Sequence, residues 1–401
     1  MAAMVILGAG HAAGQAAASL RQGGYEGEIV IIGDEPHIPY QRPPLSKAYL
    51  SGEVELDRVH LRPEKFYQDK NITLKLNVAA SAIDAAAKTV STDGGETISY
   101  EKLLIATGGR PRKLGIPGSD LAGIHYLRTI ADVDGIRNEM AADSRMVIVG
   151  GGYIGLEVAS VAVKAGVEVH ILEMEERILQ RVTTPEMSAY YQDLHESRGV
   201  HIHTGTGVTG FSGDGQVQAV QCGDQEFPAD IVIVGIGIIP NVEIAEAAGI
   251  QCDNGIVVDE GCRTSAADVF AAGDCTNHPN PLLNRRLRLE SVPNAMEQAR
   301  VAAANMCGAD KTYASIPWFW SDQYELKLQM VGFSSDGDTQ VLRGSKADNQ
   351  FAVFYLKDGA VVAADAVNSP KEFMICKQLI GKPVDEKRLA DPETDLKELL
   401  T

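Results

Sequence analysis

The sequence predicts an α/β chain in which one strand-helix-strand domain is inserted within another, followed by a smaller α+β domain. A glycine-rich strand, turn and helix pattern opens the chain and returns at residues 147–173. Each copy is followed, well downstream, by an apolar strand that ends in glycine. After Tyr313, alternating apolar and polar runs are typical of a small antiparallel sheet. Together these observations favour two nested Rossmann-like domains and a C-terminal α+β domain with a small antiparallel sheet.

Composition limits the class of protein. With 401 residues, of which 45% are hydrophobic, the chain can fill two or three domain cores. Its 54 acidic and 36 basic residues give a formal charge of -18, which repels a nucleic-acid backbone. No apolar run approaches the roughly 20 residues of a membrane helix, and the first strand begins close to Met1. We therefore expect a cytoplasmic protein that binds neither nucleic acid nor membrane.

The six cysteines are spread along the chain and form no Cys-x-x-Cys pair. This spacing favours reduced thiols over a structural zinc site or a dithiol redox motif, and we expect no metal centre. The cysteines lie at positions 222, 252, 262, 275, 307 and 376.

The first glycine-rich turn has the spacing of a dinucleotide-binding loop. Gly8 and Gly10 take the first two glycine places, and Ala13 takes the third, which requires close packing of helix on strand rather than a positive φ. Such a turn lets the backbone approach a pyrophosphate at the positive end of the next helix. Asp34 and Glu35 follow the second strand, and either can accept a hydrogen bond from an adenosine ribose.

Four prolines between residues 36 and 44 exclude a regular helix until about Leu45. Lys47 would then lie near a helix start, where its charge opposes the helix dipole. Because a residue that breaks a local preference is a candidate site residue, we single out Lys47, with a solvated lysine as the alternative.

The second glycine-rich turn has glycine in all three places, at Gly150, Gly152 and Gly155. Its strand-helix-strand unit ends at Glu173, whose carboxylate can bind a ribose 2′-hydroxyl. Two further glutamates follow closely, so a 2′-phosphate would be repelled and NADH is preferred over NADPH.

Each copy is closed by a second apolar strand, one ending at Thr107-Gly108-Gly109 and the other at Gly235 and Gly237. A proline-containing linker near residues 116–118 separates the two units. We expect an outer domain of residues 1–113 and 241–313, an inserted domain of residues 114–240, and a C-terminal domain of residues 314–401.

Two later features are candidates for ligand contact. Asp274 lies just beyond the carboxyl end of a short strand, where α/β proteins bind ligands; a turn or helix-capping aspartate is the alternative. A helix is expected from Ala295 to about Met306. Trp318 and Trp320 are two residues apart on a strand, so they share a face and can wall a planar ring, or can serve only for packing.

Two nucleotide sites in one chain restrict the chemistry. A nicotinamide donates two electrons as a hydride, and a flavin is the natural second cofactor to accept them. The two sites therefore predict an NADH-dependent flavoprotein.

Eight motifs, in order, carry a resemblance to a known family. The chain resembles the FAD-containing, NADH-dependent ferredoxin reductases of bacterial haem-monooxygenase and aromatic dioxygenase systems, which have a glutathione-reductase-type fold without its redox disulfide. The resemblance covers essentially the whole chain. The motifs are GAGHAAG, PYQRPPLSK, ATGGRPR, GGGYIGLE, GIGIIPN, AAGDC, ESVPNAMEQA and PWFWSDQY.

The resemblance implies two sets of cofactor contacts. For FAD, Ala13 is added from the first glycine turn and Trp320 from the aromatic pair. The residues expected to hold FAD are then Gly8, Gly10, Ala12, Ala13, Asp34, Lys47, Ala80, Arg128, Asp274, Val292 and Trp320. For NADH, Gly150 is added from the second glycine turn. The residues expected to bind NADH are then Gly150, Gly152, Ile154, Gly155, Glu173 and Gly237.

The resemblance also implies a catalytic pair, in the sense of positioning and electrostatics. Lys47 and Glu157 are expected to form an ion pair beside the reactive ring nitrogen of the flavin. The lysine charge can stabilise an anionic reduced flavin, and Glu157 would keep that lysine charged and oriented.

The electron acceptor is inferred from a departure from related flavoproteins. Disulfide reductases carry a cysteine pair soon after the first ribose-binding acid, whereas this chain has no cysteine before Cys222. Electrons are therefore expected to leave the flavin directly, one at a time, to a [2Fe-2S] ferredoxin. Two alternatives remain open: a rubredoxin reductase, and a redox-responsive interaction protein similar to apoptosis-inducing factor.

An acidic ferredoxin would be repelled by a chain of charge -18 unless a local basic patch receives it. Arg300 follows the ESVPNAMEQA motif, and a cluster of arginines precedes that motif; a solvated basic run is the alternative for the cluster. The docking candidates are Arg285, Arg286, Arg288 and Arg300.

Arg300→Glu should slow ferredoxin-dependent turnover, because it places a negative charge where an acidic partner is expected to dock. Reduction of a small dye by NADH should not change, since the dye does not need the docking surface. Steady-state assays with both acceptors measure this, and equal loss in both would remove Arg300 from the docking site.

Overall fold

The computed structural model describes residues 3–400. The chain folds into two compact units. The first unit runs up to Arg42 and includes Glu55–Arg110 and Ile238–Pro317. The second includes Pro43–Val54, Pro111–Gly237 and the residues from Trp318 onward. The three-domain division expected from the sequence stays a prediction.

A mainly parallel sheet forms the centre of the first unit. Its apolar strands are buried on both faces, as expected of a parallel sheet covered by helices. Thr97–Ile105 also pairs with Val269–Ala271, and an antiparallel extension, Thr89–Thr92 and Ala80–Asp84, continues from it. The parallel order is Ile72–Leu76, Ile29–Gly33, Ala3–Leu7 and Thr97–Ile105.

Two alanine-rich helices pack together on this sheet. His11–Gln22 buries Ala13, Ala16 and Ala17, and Val292–Met306 buries a matching set of alanines, so the small side chains allow close contact. The second helix begins earlier than expected, because Pro293 fits its first turn and the Ser291 hydroxyl caps the Asn294 N–H. The shorter elements are helices Leu56–Val59, Glu64–Asp69 and Glu243–Ala247 and strands Gly109–Pro111, Ile238–Pro240, Ile256–Val257, Thr276–Asn280 and Arg285–Leu287.

The second unit has a parallel sheet of its own. Helices Tyr153–Lys164, Ile130–Glu139 and Pro185–Ser197 accompany it. Thr129 caps one of these helices in a reciprocal capping box with Asp132. The strand order is Val200–His203, Glu168–Leu172, Arg145–Val149, Ile231–Val234 and Ile124–His125. An antiparallel meander shares its apolar cluster and consists of Gly210–Asp214, Gln216–Cys222 and Gln225–Pro228.

The two parallel sheets repeat one connection pattern. In each, the strand before the glycine turn lies between the strand after the helix and the later strand that ends near glycine. The same local sequence pattern has therefore produced the same topology twice, as the duplication predicted.

A five-stranded antiparallel sheet follows within the second unit. Arg343 is buried and donates to backbone carbonyls of residues 389–394, so the last segment is fastened to the sheet. The strand order is Trp318–Gln323, Leu326–Gly332, Ala360–Val367, Gln350–Lys357 and Thr339–Ser345. The helices are Pro370–Leu379 and Glu386–Ala390, with short 3₁₀ turns at Ser334–Asp336 and Leu396–Leu400.

The proline-rich stretch differs from the expectation. A 3₁₀ turn covers Pro43–Ser46, and Lys47 lies in the hydrogen-bonded turns after it rather than at the start of an α-helix. Pro43 and Pro44 occupy the first two positions of this turn, where proline is tolerated because a helix leaves those N–H groups without a partner. Within residues 3–400, none of the helices combines the length and apolarity that crossing a bilayer requires.

Asp365 gives the second unit a pH-dependent stability. Its Oδ2 accepts hydrogen bonds from Thr183 Oγ1 and Tyr355 Oη, both at 2.8 Å. Burial nevertheless raises the pKa of this carboxyl to about 6. The folded state thus holds a proton that the unfolded state releases, so this contribution to stability is present at low pH and is lost as the pH rises toward 6.

The free energy of unfolding of Asp365→Asn, measured relative to the parent protein, should therefore increase by on the order of 3 kcal/mol as the pH rises from about 4 to about 7. Thermal unfolding across this range measures the difference. The matched control is Asp358→Asn, an exposed turn residue at φ 51° that tolerates asparagine. A difference for Asp365→Asn that does not vary with pH would contradict the assignment.

Candidate functional site

The first glycine turn combines a crowded position with an open one. Gly8 has φ +102°, and a Cβ added there would lie 2.3 Å from the carbonyl oxygen of Ala106. Gly10 begins the helix, and an added Cβ would meet nothing within 4 Å. The backbone therefore requires the first glycine, whereas the second leaves free space at the helix start.

The helix that follows has an N-terminus suited to an anion. No side chain caps His11–Gln22 at this end, and its first turn has no acidic residue. The first backbone N–H groups of a helix have no partner within the helix, and the helix dipole favours negative charge there. The residues present thus fit a dinucleotide pyrophosphate.

The other expected FAD contacts of the first unit occupy varied surroundings. Asp34 is exposed directly after Ile29–Gly33. Glu35, the alternative acid, accepts from Tyr40 Oη at 2.6 Å and from Arg42 Nη2 at 2.9 Å. Asp34 is therefore the acid with its side chain in solvent. Ala12 and Ala13 are buried in the helix, and the half-buried positions are Ala80, Asp274 and Val292.

The second glycine turn repeats this geometry. Gly150 has φ +108°, and an added Cβ would lie 2.6 Å from the carbonyl oxygen of Gly235. Gly152 begins the helix with free space around it. An added Cβ on Gly155 would lie 2.5 Å from the carbonyl oxygen of Gly150, so the third place tolerates no alanine here, unlike Ala13 in the first unit.

Glu173 is fixed beside this turn. Its Oε2 accepts from the Gly151 N–H at 2.7 Å, and its Oε1 accepts from the Glu175 N–H at 2.9 Å. Each carboxylate oxygen can accept a further bond, so a hydroxyl can still be received. Of the other expected NADH contacts, Ile154 is 47% exposed and Gly237 has φ +102° with no atom near an added Cβ.

Lys47 and Glu157 form an ion pair within the second unit. Lys47 Nζ lies 2.6 Å from Glu157 Oε2, and the glutamate side chain is only 4% exposed. Ser46 Oγ donates to the same oxygen at 2.6 Å, and Ser321 Oγ donates to Oε1 at 2.6 Å. A buried carboxylate is tolerated when donors replace its water, and three donors do so here.

A hydrogen-bonded chain continues behind Ser321. Gln323 Nε2 donates to Ser321 Oγ at 3.1 Å, His195 Nε2 lies 2.8 Å from Gln323 Oε1, and Tyr324 Oη lies 3.1 Å from His195 Nδ1. Burial lowers the pKa of His195 to about 4, so the ring is neutral near pH 7. Because Gln323 Oε1 can only accept, the ring proton lies on Nε2, and every bond points toward Glu157.

No sequence pattern predicted this hydrogen-bonded chain. Ser321 and Gln323 alternate along Trp318–Gln323, which indicates a shared face, but a polar pair on a strand has many possible roles. Ser46 adjoins the lysine that was singled out, and His195 lies in a helix with no distinguishing neighbour.

The remaining expected FAD contacts belong to the second unit. Arg128 lies two residues before Ile130–Glu139, and its N–H donates to Asp132 Oδ2. Trp320 is half-buried with its ring 5.7 Å from that of Trp318, which confirms their shared face. The Trp318 ring also lies 3.8 Å from Lys377 Nζ, so Trp318 is partly a packing residue.

The four arginines expected to dock a ferredoxin differ in the contacts that they make within the chain. Arg286 donates to Asn277 and to the Val258 carbonyl, and Arg288 pairs with Glu290 at 2.6 Å. Arg285, Arg286 and Arg300 are exposed, whereas Arg288 is half-buried. Arg286 and Arg288 are thus engaged in contacts within the chain, which a solvated basic run does not require.

Comparisons with known proteins cover nearly the whole chain. The pyridine nucleotide-disulphide oxidoreductase model matches residues 2–299, and the reductase C-terminal model matches residues 318–400. The chain is 46% identical to putidaredoxin reductase of Pseudomonas putida, over 99% of this chain and 96% of that protein. It is 43% identical to the ferredoxin-NAD(+) reductase component of the anthranilate 1,2-dioxygenase system of Burkholderia cepacia, over 99% and 98%.

One solved structure extends the likeness to three dimensions. The crystal structure of a covalent putidaredoxin reductase-putidaredoxin complex matches with a TM-score of 0.96 at 45% identity, over 100% of this chain and 98% of that chain. The predicted fold class is confirmed.

Within each glycine turn, an alanine substitution should have different effects at the first and the second glycine. Gly8→Ala and Gly150→Ala should cost about 1–3 kcal/mol or more, since each combines a positive φ with a backbone clash. Gly10→Ala and Gly152→Ala should fold with much smaller losses but bind their dinucleotides more weakly, because the methyl group fills the space at the helix start.

Thermal unfolding, bound flavin content and NADH titration separate these effects, and each open glycine is the control for its crowded neighbour. Equal destabilisation within either pair would contradict the distinction.

Proposed function

The chain belongs to the pyridine nucleotide-disulphide oxidoreductase family, and we propose from this premise that it is an FAD-dependent NADH:ferredoxin oxidoreductase. The observation that carries the proposal is a pair of glycine turns with open helix starts in a chain that has no cysteine before Cys222. Such a chain can hold two dinucleotides, but it has no cysteine pair near its start to receive electrons from the flavin. The electrons therefore go to a separate protein.

FAD, when bound, supplies the conversion of a two-electron donor into a one-electron source. In the first unit, the turn of Gly8 and Gly10 would receive its pyrophosphate, and exposed Asp34 would accept from its ribose. The other residues proposed to hold FAD are Ala12, Ala13, Lys47, Ala80, Arg128, Asp274, Val292 and Trp320.

NADH would bind along the second glycine turn. Buried Glu173 would accept from the adenosine ribose, and Arg177, the nearby cation, already donates to Ser188 and to the Gln180 carbonyl. A 2′-phosphate would therefore meet several carboxylates and a single nearby guanidinium whose N–H groups already have other partners, which supports NADH over NADPH. The other residues proposed to bind NADH are Gly150, Gly152, Ile154, Gly155 and Gly237.

Lys47 and Glu157 would act by electrostatics. The ammonium group of Lys47 would stabilise negative charge on the flavin ring, as a preorganised positive charge does at other active sites. Glu157 holds Lys47 at 2.6 Å, and Ser321, Gln323 and His195 would in turn orient the Glu157 carboxylate.

The proposed acceptor is a [2Fe-2S] ferredoxin of a haem monooxygenase or aromatic dioxygenase system. Two full-length relatives, one named putidaredoxin reductase and one ferredoxin-NAD(+) reductase component, support it. The arginines proposed to receive an acidic partner are Arg285, Arg286, Arg288 and Arg300, and all but the half-buried Arg288 are exposed. A cytoplasmic location is part of the proposal, because NADH is an intracellular metabolite.

The acceptor is tested by NADH oxidation with the purified holoprotein and a panel of ferredoxins and rubredoxins. The proposal expects turnover with at least one [2Fe-2S] ferredoxin. Activity with rubredoxin alone would identify rubredoxin, rather than a [2Fe-2S] ferredoxin, as the acceptor. Poor turnover with every carrier, together with a long-lived complex after NADH addition, would favour the redox-responsive interaction protein.

Substitutions along the buried chain test the electrostatic role. Lys47→Met should slow reduction of the bound flavin by NADH about 100-fold, as loss of one stabilising charge or donor typically does. Gln323→Leu should have a smaller effect, about 3- to 10-fold or about 1 kcal/mol, because it leaves the ion pair but disturbs its orientation.

Stopped-flow absorbance measures these rates, and the flavin midpoint potential is a second readout. Gln340→Leu is the matched control, an exposed glutamine of the same sheet. If Gln323→Leu and Gln340→Leu behave alike, the outer part of the chain has no positioning role.

A further inference from the structure

Four metal-ligating side chains gather on one face of the parallel sheet of the second unit. Glu168 and His170 lie on Glu168–Leu172, and His201 and His203 lie on the neighbouring edge strand Val200–His203. Alternate residues of a strand share a face, and the parallel register pairs His170 with His201, so all four side chains project to the same side.

The side chains are close enough to act together. His170 Nε2 lies 3.1 Å from Glu168 Oε1, and His170 Nδ1 lies 3.0 Å from His203 Nε2. The His170 ring stacks on that of His201 with centroids 4.7 Å apart. One ligand atom from each of Glu168, His170 and His201 can be chosen so that all lie within 4.8 Å of one another.

We propose that Glu168, His170 and His201 bind a divalent transition-metal ion, with Zn²⁺ as the best match. Imidazole nitrogen and carboxylate oxygen are typical zinc ligands, and three protein ligands leave a fourth position for water. Tetrahedral ligands at zinc distances lie about 3.3 Å apart. Glu168 and His201 are exposed and can rotate to close the present separation, while strand pairing holds His170 in place.

His203 completes the site as an orienting partner. In the arrangement that leaves His170 Nε2 for the metal, His170 Nδ1–H donates to His203 Nε2. Metal-binding histidines usually donate their other ring N–H to an acceptor, which fixes the tautomer and the ring direction. The Phe227 ring packs against His203 with centroids 4.7 Å apart and restrains that acceptor.

The neutral imidazole is the form that coordinates a metal. A metal bound here would join the edge strand to its neighbour, and binding to the folded state alone would stabilise the unit.

The test is calorimetric titration of the holoprotein with Zn²⁺, with Mg²⁺ as the comparison ion. All proteins would carry Cys307→Ser, because the exposed Cys307 thiol could bind zinc independently. We expect one zinc per chain, a higher unfolding temperature with zinc, and no response to Mg²⁺, which prefers oxygen ligands.

Three variants and a control assign the site. His201→Ala and Glu168→Gln remove exposed ligands without disturbing the core and should weaken zinc binding at least tenfold; His203→Ala should weaken it about 10- to 100-fold, as loss of an orienting partner does. His125→Ala removes a histidine paired with Glu139 at 3.0 Å elsewhere in the same unit and should leave binding unchanged. The absence of saturable binding, or equal affinity in His201→Ala and the parent, would overturn the proposal.

Discussion

The carboxylate of Glu157 governs how the second unit is assembled. It is buried almost completely, and donors from the protein replace the water that it lost. Those donors come from distant parts of the chain, the turn carrying Ser46 and Lys47 and the strand carrying Ser321. This requirement gives a physical reason why residues 43–54 and the C-terminal sheet belong to the same compact unit as residues 111–237.

The same constraint sets the direction of the bonds behind the carboxylate. Glu157 can only accept, so Ser321 must donate to it and must itself accept from Gln323. The amide oxygen of Gln323 then requires the proton of His195 on Nε2. One buried charge thereby fixes the tautomer of a histidine three hydrogen bonds away, and a side-chain network of this kind is stabilised cooperatively.

Duplication supplied the framework for both glycine turns, but the two copies are not equivalent. The first glycine of each turn lies against a backbone carbonyl, so neither copy could replace it. The third place diverged, because Gly155 contacts the carbonyl of Gly150 whereas the first unit accommodates Ala13. Small differences in how closely helix and strand approach therefore decide which residue each copy permits.

The sequence by itself determined what local rules control: two glycine turns, the strand-helix-strand units that contain them, the acids that end those units and the antiparallel sheet. It also singled out Lys47, through its family resemblance and through an expected helix start at which the structure does not place it. Only the tertiary structure decided that Asp34, rather than Glu35, is exposed, since Arg42 and Tyr40 engage the latter. It also assembled the donors around Glu157. These partners are 110 and 164 residues away along the chain, and sequence spacing carries no information about contacts made by packing at such separations.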